Sequence, residues 1–407
     1  MTLKVDIRLV IHALSDALDL VGINDTHHGK RVGVMAVEIL RHLGESHATQ
    51  DRIFDAGLLH DIGVSSTDLH HQLVDDFDWE GSHGHAVFGA HLLESFGPLA
   101  NLGPIVRYHH THWKDLQDHY GEDERLSNLI FMTDRIDVLA AVAMLNNQLL
   151  DCVPTIRQRI AKNTGDMFDP VWVKAFMEIS QSDAFWLTLE PDSIRDTLDR
   201  LAKATAPAET TQETLRGLAT LFSHVVDAKS RFTVEHSEGV ARVAHFLGEC
   251  AGLDEETSGK MEIAGYLHDI GKLKIPDALL EKTGPLDAHE RRQMACHAYE
   301  TYRILSRIPG FEDIAQWAAF HHEIPDGEGY PFRLKGQALP IEARLIRAAD
   351  IFQSMSQDRP YRHALPAEAV LEHMKGLTNN GKLDSAIFKI LSDHLAEIYA
   401  LARPKLC

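Results

Sequence analysis

The most informative residues of this 407-residue chain are its histidines, because an ordered set of them occurs twice. In both halves an early His is followed 32 residues later by a His-Asp dipeptide, and the surrounding sequences AGLLHDIG and AGYLHDIG match. A third His then precedes a His-His doublet by 24 residues, and a late Asp ends each set. This spacing indicates a tandem duplication. The first set comprises His28, His60, Asp61, His85, His109, His110 and Asp134, and the second comprises His236, His268, Asp269, His297, His321, His322 and Asp350.

Each set offers five imidazoles and two carboxylates as candidate metal ligands. Brought together from separate helices, these groups can surround two adjacent divalent cations, with the Asp of the dipeptide between them. A set without thiolates favours iron or manganese, with nickel or zinc as alternatives, over a structural zinc site. Such a pair of metal ions activates water for hydrolysis.

Helices are expected to carry both sets. Apolar residues recur at helical spacing in segments such as 31–44, 127–145 and 238–252, and alternating strand patterns are scarce. Both halves are therefore predicted to be all-α helical bundles. The segment 203–215 is small, polar and interrupted by Pro207, which favours a domain boundary. We predict two domains, residues 1–205 and 206–407, in agreement with the length of the chain.

The composition restricts the substrate and the compartment. Lys and Arg number 40 against 60 Asp and Glu, and a net charge of -20 repels DNA or RNA polymers. An anionic small molecule would need a positive site built from metal ions and a few basic side chains. The four cysteines are scattered, which is typical of reduced thiols and favours a cytoplasmic location. We expect neither a signal peptide nor a membrane span.

Longer motifs surround the second set of ligands. They are HDIGKLKIPD (268–277), KTGPL (282–286), HHEIPDGEGYP (321–331), LPIEARLIRAADIF (339–352) and RPYR (359–362). From about residue 215 to residue 375 the chain resembles the HD-GYP branch of the HD superfamily of metal phosphohydrolases. The resemblance implies a helical bundle with a metal centre. It also implies hydrolysis of a bacterial second messenger, cyclic di-GMP, to the linear 5'-phosphorylated dinucleotide.

The resemblance further implies roles for individual residues. Asp269 and Lys272 would be catalytic: hydroxide held between two metal ions would attack phosphorus, and Lys272 would neutralise the scissile phosphate. Arg359 and Arg362 would contact the other phosphate or a base, or else form solvent-facing salt bridges. The tripeptide Gly329-Tyr330-Pro331 would line the substrate pocket or shape the turn that closes it. One metal ion would be held by His236, His268, Asp269 and Asp350, and the other by Asp269, His297, His321 and His322.

At two positions this chain has a different type of residue from some members of the family. Members that hold a third metal ion have acidic residues where this chain has Phe232 and Gln353. We therefore expect two metal ions in the second half.

The first half resembles an HD domain that is not of the HD-GYP type. It keeps all seven candidate ligands and is expected to bind metal, but Val64 stands where the second half has Lys272. The sequence HHTHWKDLQDHYGEDERLSN replaces the GYP loop. Three interpretations are open: a second hydrolase for a different phosphate ester, a metal-bound regulatory module, and a vestigial dimerisation domain.

Alternatives also remain for the function of the whole chain. The mixed 3',3'-cyclic GMP-AMP is the second candidate substrate, with nucleotidase activity in the N-terminal HD domain. A receptor that binds the nucleotide without hydrolysing it is the alternative from another class. Retention of every ligand and of Lys272 favours an enzyme. Beyond the cyclic dinucleotide, the resemblance allows a homodimer and signalling proteins bound at the GYP loop.

Overall fold

A computed structural model describes residues 2–3, 5–22, 27–64, 66–116, 121–204, 210–229, 236–358 and 363–403. The chain divides into two compact units. The first unit is Leu18–Ala206, and the second is Pro207–Cys407 together with Met1–Ala17. The described residues are almost entirely helical, which confirms the all-α prediction. No helix in this part of the chain is both long and apolar enough to cross a bilayer.

Twelve α-helices precede residue 205 in the described residues. They are α1 (Ile7–Leu18), α2 (His28–His42), α3 (His47–Leu59), α4 (Thr67–Asp75), α5 (His83–Glu94), α6 (Gly103–Arg107), α7 (Trp113–Leu116), α8 (Glu122–Leu145), α9 (Leu149–Lys162), α10 (Pro170–Ile179), α11 (Asp183–Leu187) and α12 (Pro191–Ala204). Short 3-10 helices lie at Asp19–Gly22, Glu80–Ser82 and Gly97–Leu102. In the first unit, α2 packs against both α3 and α8.

The remaining described residues contain ten α-helices. They are α13 (Gln212–Lys229), α14 (His236–Cys250), α15 (Glu255–Leu267), α16 (Asp277–Leu280), α17 (Ala288–Leu305), α18 (Glu312–Ala319), α19 (Ile341–Ser356), α20 (Ala367–Asn379), α21 (Ser385–Asp393) and α22 (Leu395–Ala402). Short 3-10 helices lie at Ile270–Lys274 and Gly336–Ala338. The packing of the first unit is repeated, because α14 lies against both α15 and α19.

The first 17 residues group with the second unit, not with the rest of the predicted domain 1–205. Strand β1 (Thr2–Leu3) pairs antiparallel with strand β2 (Thr210–Thr211). The Thr210 hydroxyl donates to the carbonyl oxygen of Val5 at 2.5 Å, and Arg307 forms an ion pair with Asp16. The predicted boundary after residue 205 lies outside the described residues.

Local sequence determines where the helices of the second unit begin. Asp254 caps α15, because its carboxylate accepts the backbone N–H of Thr257 at 2.8 Å. Helix α17 begins with a reciprocal capping box: Asp287 accepts the N–H of Glu290 at 2.9 Å, and Glu290 accepts the N–H of Asp287 at 2.7 Å. These caps define where the helix before His268 and the helix that carries His297 begin. The buried face of α17 is formed by His297, Ala298, Glu300, Thr301, Ile304 and Leu305.

Candidate metal centres

Five segments of the second unit bring the predicted ligands to one place. His236 is the first residue of α14, and the His268-Asp269 pair directly follows α15. His297 lies on the buried face of α17, and Asp350 lies on α19. The doublet His321-His322 follows α18. Each ligand is far from most of the others in sequence, so tertiary packing alone assembles the cluster.

A glycine allows the dipeptide to approach α17. A Cβ atom on Gly271 would lie 2.1 Å from the carbonyl oxygen of His297, a distance that no side chain tolerates. Gly63 repeats this arrangement in the first unit, where a Cβ atom would lie 2.0 Å from the carbonyl oxygen of His85. The Gly of both HDIG motifs is therefore required by the close approach of two backbones at the candidate ligands.

Asp269 lies at the centre of the second unit's cluster. Its Oδ2 atom is 3.1 Å from Nε2 of His268. Its Oδ1 atom is 3.5 Å from Nε2 of His297 and 3.8 Å from Nε2 of His321. A carboxylate with imidazoles on both oxygens has the position expected of a ligand shared by two cations.

The imidazole rings are oriented by the backbone. In His268, His297 and His321, Nδ1 donates to the carbonyl oxygen three residues earlier, at 2.7, 2.6 and 2.6 Å respectively. Among the described residues, neither these Nε2 atoms, all buried, nor Oδ1 of Asp269 has a hydrogen-bond partner. Buried polar atoms without partners are costly, and metal-ligating histidines typically donate their other nitrogen to a carbonyl. The residues present therefore fit divalent metal ions.

The protonation of three histidines suits the same role. Burial lowers the pKa of His297 to about 4 and that of His321 to about 3. Burial also holds the pKa of His322 well below its ordinary value. These rings are neutral near pH 7, the form in which an imidazole binds a metal ion.

Asp350 and His236 form the second part of the cluster, with Oδ1 of Asp350 3.2 Å from Nε2 of His236. Nδ1 of His236 faces Oε1 of Gln357 at 3.4 Å, and that oxygen also accepts from Nε2 of Gln353 at 2.9 Å. Gln353 stands where some members of the family have an acidic residue. Its hydrogen bond supports Gln357, which in turn orients His236. Phe232, the other departing position, lies outside the described residues.

The predicted ligands of the first unit also converge. Ligand atoms of Asp61, His85, His109 and His110 lie within 4.8 Å of one another, and so do those of His28, His60 and Asp134. As in the second unit, Nδ1 of His60 and of His109 faces the carbonyl oxygen three residues earlier, at 2.8 and 2.5 Å. Both sets predicted from the spacing are therefore assembled in space.

A buried carboxylate that was not predicted from the sequence supports the first cluster. Asp137 accepts from Nδ1 of His28 at 2.7 Å and from Nε of Arg31 at 2.6 Å. Burial alone would raise the pKa of Asp137, but Arg31 and His28 lower it to about 2. Burial would also lower the pKa of His28, yet Asp137, Asp134 and Asp61 raise it to about 10. Asp137 follows Asp134 by three residues, which places both carboxylates on one face of a helix. This spacing was the signal in the sequence that could have identified Asp137.

The two units differ next to the His-Asp pair. In the second unit Lys272 donates a hydrogen bond to Oδ2 of Asp269. In the first unit Val64 is buried, with 2% of its surface exposed. The adjoining cavity, lined by residues that include His28, His60 and Val64, has a volume of about 20 Å³, comparable with one water molecule. At the position of Val64, the first centre therefore lacks the ammonium group that Lys272 supplies in the second.

The loop that bears the tripeptide Gly329-Tyr330-Pro331, here called the GYP loop, covers one side of the second cluster. The ring of Tyr330 lies 4.7 Å from that of His322, and a Cβ atom on Gly329 would lie 2.5 Å from Cα of Glu323. The peptide bond between Tyr330 and Pro331 is cis. The predicted substrate residues Gly329, Tyr330 and Pro331 are thus next to the candidate metal ligands. Arg359 and Arg362 lie outside the described residues.

The sequence alone did not identify Glu323, which holds this loop in place. Its fully buried carboxylate accepts three backbone N–H groups, from Phe332 at 2.6 Å, Arg333 at 3.0 Å and Leu334 at 2.9 Å. Charged acceptors make the strongest hydrogen bonds of this kind. Its position directly after the His-His doublet was the only signal in the sequence.

Known proteins match both halves of the chain. Two family models, each described as an HD domain, match residues 26–142 and 220–387. The "3'3'-cGAMP-specific phosphodiesterase 1" of Vibrio cholerae is 31% identical over 405 residues, which cover 98% of this chain and 94% of that protein. A "Cyclic di-GMP phosphodiesterase" of Thermotoga maritima is 35% identical over 173 residues, which cover 41% of this chain and 46% of that protein. The crystal structure of a cyclic GMP-AMP specific phosphodiesterase of V. cholerae has the same fold, with a TM-score of 0.66 at 23% identity, over 97% of this chain and 98% of that one.

The fold and the two His/Asp clusters define a tandem HD-domain hydrolase. The chain belongs to the HD-GYP phosphodiesterase family, with a second, divergent HD domain before the HD-GYP domain.

Proposed function

We propose that the second unit hydrolyses 3',3'-cyclic GMP-AMP to the linear 5'-phosphorylated dinucleotide. The observation that supports the proposal is the cluster around Asp269, in which Oδ1 of Asp269 and the buried Nε2 atoms of His268, His297 and His321 have no hydrogen-bond partner among the described residues. The choice of substrate is supported by the V. cholerae relative named for that nucleotide, whose match extends over 98% of this chain. Cyclic di-GMP, our first expectation from the sequence, has less support, because the T. maritima relative named for it matches 41% of the chain.

The residues of the second unit have separable roles in this reaction. His236, His268, His297, His321, His322, Asp269 and Asp350 would hold two divalent metal ions, with iron or manganese expected from the donor set. When bound, such a pair supplies Lewis acidity and lowers the pKa of water towards neutrality. Lys272 keeps an ammonium group at Asp269, where it can neutralise a phosphate. Glu323 holds the GYP loop over the cluster.

The specificity is tested by measuring kcat/KM of the manganese-loaded protein on 3',3'-cyclic GMP-AMP, cyclic di-GMP and cyclic di-AMP, with identification of the products. We expect the mixed dinucleotide to be the preferred substrate. A preference for cyclic di-GMP would refute the proposed specificity and leave the phosphodiesterase activity in place. Tight binding of all three without hydrolysis would favour the receptor instead.

For the first unit we infer a phosphatase activity on a terminal phosphate of a linear nucleotide, such as the product of the second unit. Two observations favour it: the seven candidate ligands are assembled, and the buried Val64 stands where the second unit has the ammonium group of Lys272. A terminal phosphate is small enough to be held largely by metal ions. The chain would then carry two consecutive hydrolytic steps.

The test replaces His60 and Asp61 by Ala and follows the linear 5'-phosphorylated dinucleotide over time. We expect this product to accumulate in the variant and to be dephosphorylated by the wild type. If the wild type never dephosphorylates it, the inferred phosphatase activity is wrong, and a regulatory or vestigial domain replaces it.

A further inference from the structure

Helix α19 carries two arginines with different surroundings. Nη1 of Arg344 lies 2.8 Å from Oδ2 of Asp384, an ordinary ion pair. Arg347, one turn later, makes no ion pair with any carboxylate of the described residues. Its Nη1 atom donates weakly to the carbonyl oxygen of His321 at 3.4 Å, and its Nε atom is buried without a partner. Nε of Arg344 is also buried without a partner among the described residues, so the two arginines differ in the ion pair. Arg347 is half-buried and has N–H donors that no described carboxylate accepts, in a chain that contains 60 acidic residues.

Such an arrangement is unfavourable in the protein alone. The buried Nε–H group of Arg347 has lost its hydration without gaining an acceptor among the described residues, which costs free energy. An anionic ligand that binds beside this side chain would restore the missing interactions.

The position of Arg347 shows which ligand it could meet. It precedes Asp350 by three residues, so both side chains lie on one face of α19. The electrostatic neighbours of its guanidinium are Asp350, Tyr330 and Asp326, which belong to the metal cluster and to the loop that bears the GYP tripeptide. Lys272 lies instead at Asp269. Two cationic side chains therefore flank the cluster at two different carboxylates.

We propose that Arg347 binds the phosphate of the cyclic dinucleotide that is not cleaved. The proposal rests on the function proposed above for the second unit. A cyclic dinucleotide has two phosphates, and the one that is hydrolysed must lie at the metal cluster with Lys272. The planar guanidinium, with its five N–H donors, is suited to hold the other phosphate through paired hydrogen bonds. Arg347 would thus favour substrates with two phosphates over simple diesters.

The experiment measures hydrolysis of two substrates by the manganese-loaded full-length protein: 3',3'-cyclic GMP-AMP and bis(p-nitrophenyl) phosphate, a diester with a single phosphate. Arg347→Met should lower kcat/KM for the cyclic dinucleotide by about 10- to 100-fold, mainly through KM, because charged hydrogen bonds to the substrate are lost. Its effect on the single-phosphate diester should be at least about tenfold smaller. Arg347→Lys keeps the charge and should recover part of the loss, which makes the test independent of how well the Met variant folds. Arg344→Met is the matched control and should change neither value by more than about threefold.

Three results would overturn the proposal. Equal losses on both substrates would mean that Arg347 acts through His321 and the metal cluster. An unchanged KM for the cyclic dinucleotide in Arg347→Met would remove its role in binding. A wild type that cleaves the simple diester but no cyclic dinucleotide would refute the function proposed for the second unit, and this role with it.

Discussion

Replacing Glu323 by Gln is expected to loosen the GYP loop while leaving the metal ligands in place. In the wild type, Oε1 accepts the N–H groups of Phe332 and Arg333, and Oε2 accepts that of Leu334. In the variant the amide oxygen can keep the first two bonds, now uncharged and weaker, but the NH2 group would face the N–H of Leu334. One hydrogen bond is lost, a buried donor is left unsatisfied, and two bonds are weakened, for a total of about 3 kcal/mol.

A change of about 3 kcal/mol corresponds to on the order of 100-fold in the ratio of closed to open loop. Hydrogen–deuterium exchange of peptides that cover residues 329–338 measures this ratio, because the amides of Phe332, Arg333 and Leu334 exchange when the loop opens. We expect their exchange to accelerate by about that factor, with a fall in kcat/KM and an unchanged metal content. Glu328→Gln, an exposed change of the same type on the same loop, is the control. Wild-type exchange rates in Glu323→Gln would refute the role of Glu323.

Two further predictions concern metal content and stability in acid. Elemental analysis of metal-loaded protein in which His60 and Asp61 are replaced by Ala should find at most two metal ions in the second unit. The reason is that Gln353 donates to Gln357 and offers no carboxylate for a third ion. A reproducible third ion would contradict this prediction. The depressed pKa of Asp137, about 2 against about 4 when unfolded, means that its ionised form stabilises the folded state above about pH 4 and that this contribution is lost as the pH falls towards 2. In urea unfolding of the metal-free protein, the difference between the wild type and Asp137→Asn should therefore shrink by about 2 kcal/mol from pH 5 to pH 2, and a difference independent of pH would exclude this linkage.

The candidate metal ligands could be predicted from the sequence because their chemistry and their order along the chain are repeated. Each set of seven recurs with nearly constant spacing, and His and Asp are residue types with few reasons to recur in this order without a common site. The all-α fold class could be predicted from the helical spacing of apolar residues, because this local pattern determines local structure. The identities of the metal ions are not fixed by the donor set, because imidazole and carboxylate suit several divalent ions.

Other features depend on contacts that no local pattern encodes. Arg344 and Arg347 are the same residue type on one helix, and only their contacts in the folded chain, with Asp384 and with His321 respectively, distinguish them. The role of Glu323 depends on the path of a loop that brings residues 332–334 back to it. The pairing of β1 with β2 joins segments more than 200 residues apart, and each strand is two residues long, too short for a detectable alternation.

The most direct test of the account compares two matched double variants of the manganese-loaded full-length protein on 3',3'-cyclic GMP-AMP. His268→Ala with Asp269→Ala removes the central carboxylate and one imidazole of the second cluster. His60→Ala with Asp61→Ala makes the same change in the first. Ring opening should fall by more than about 1000-fold in the first variant, because the metal centre is lost, and should continue in the second variant. Ring opening at the wild-type rate in the variant that lacks His268 and Asp269 would contradict the account.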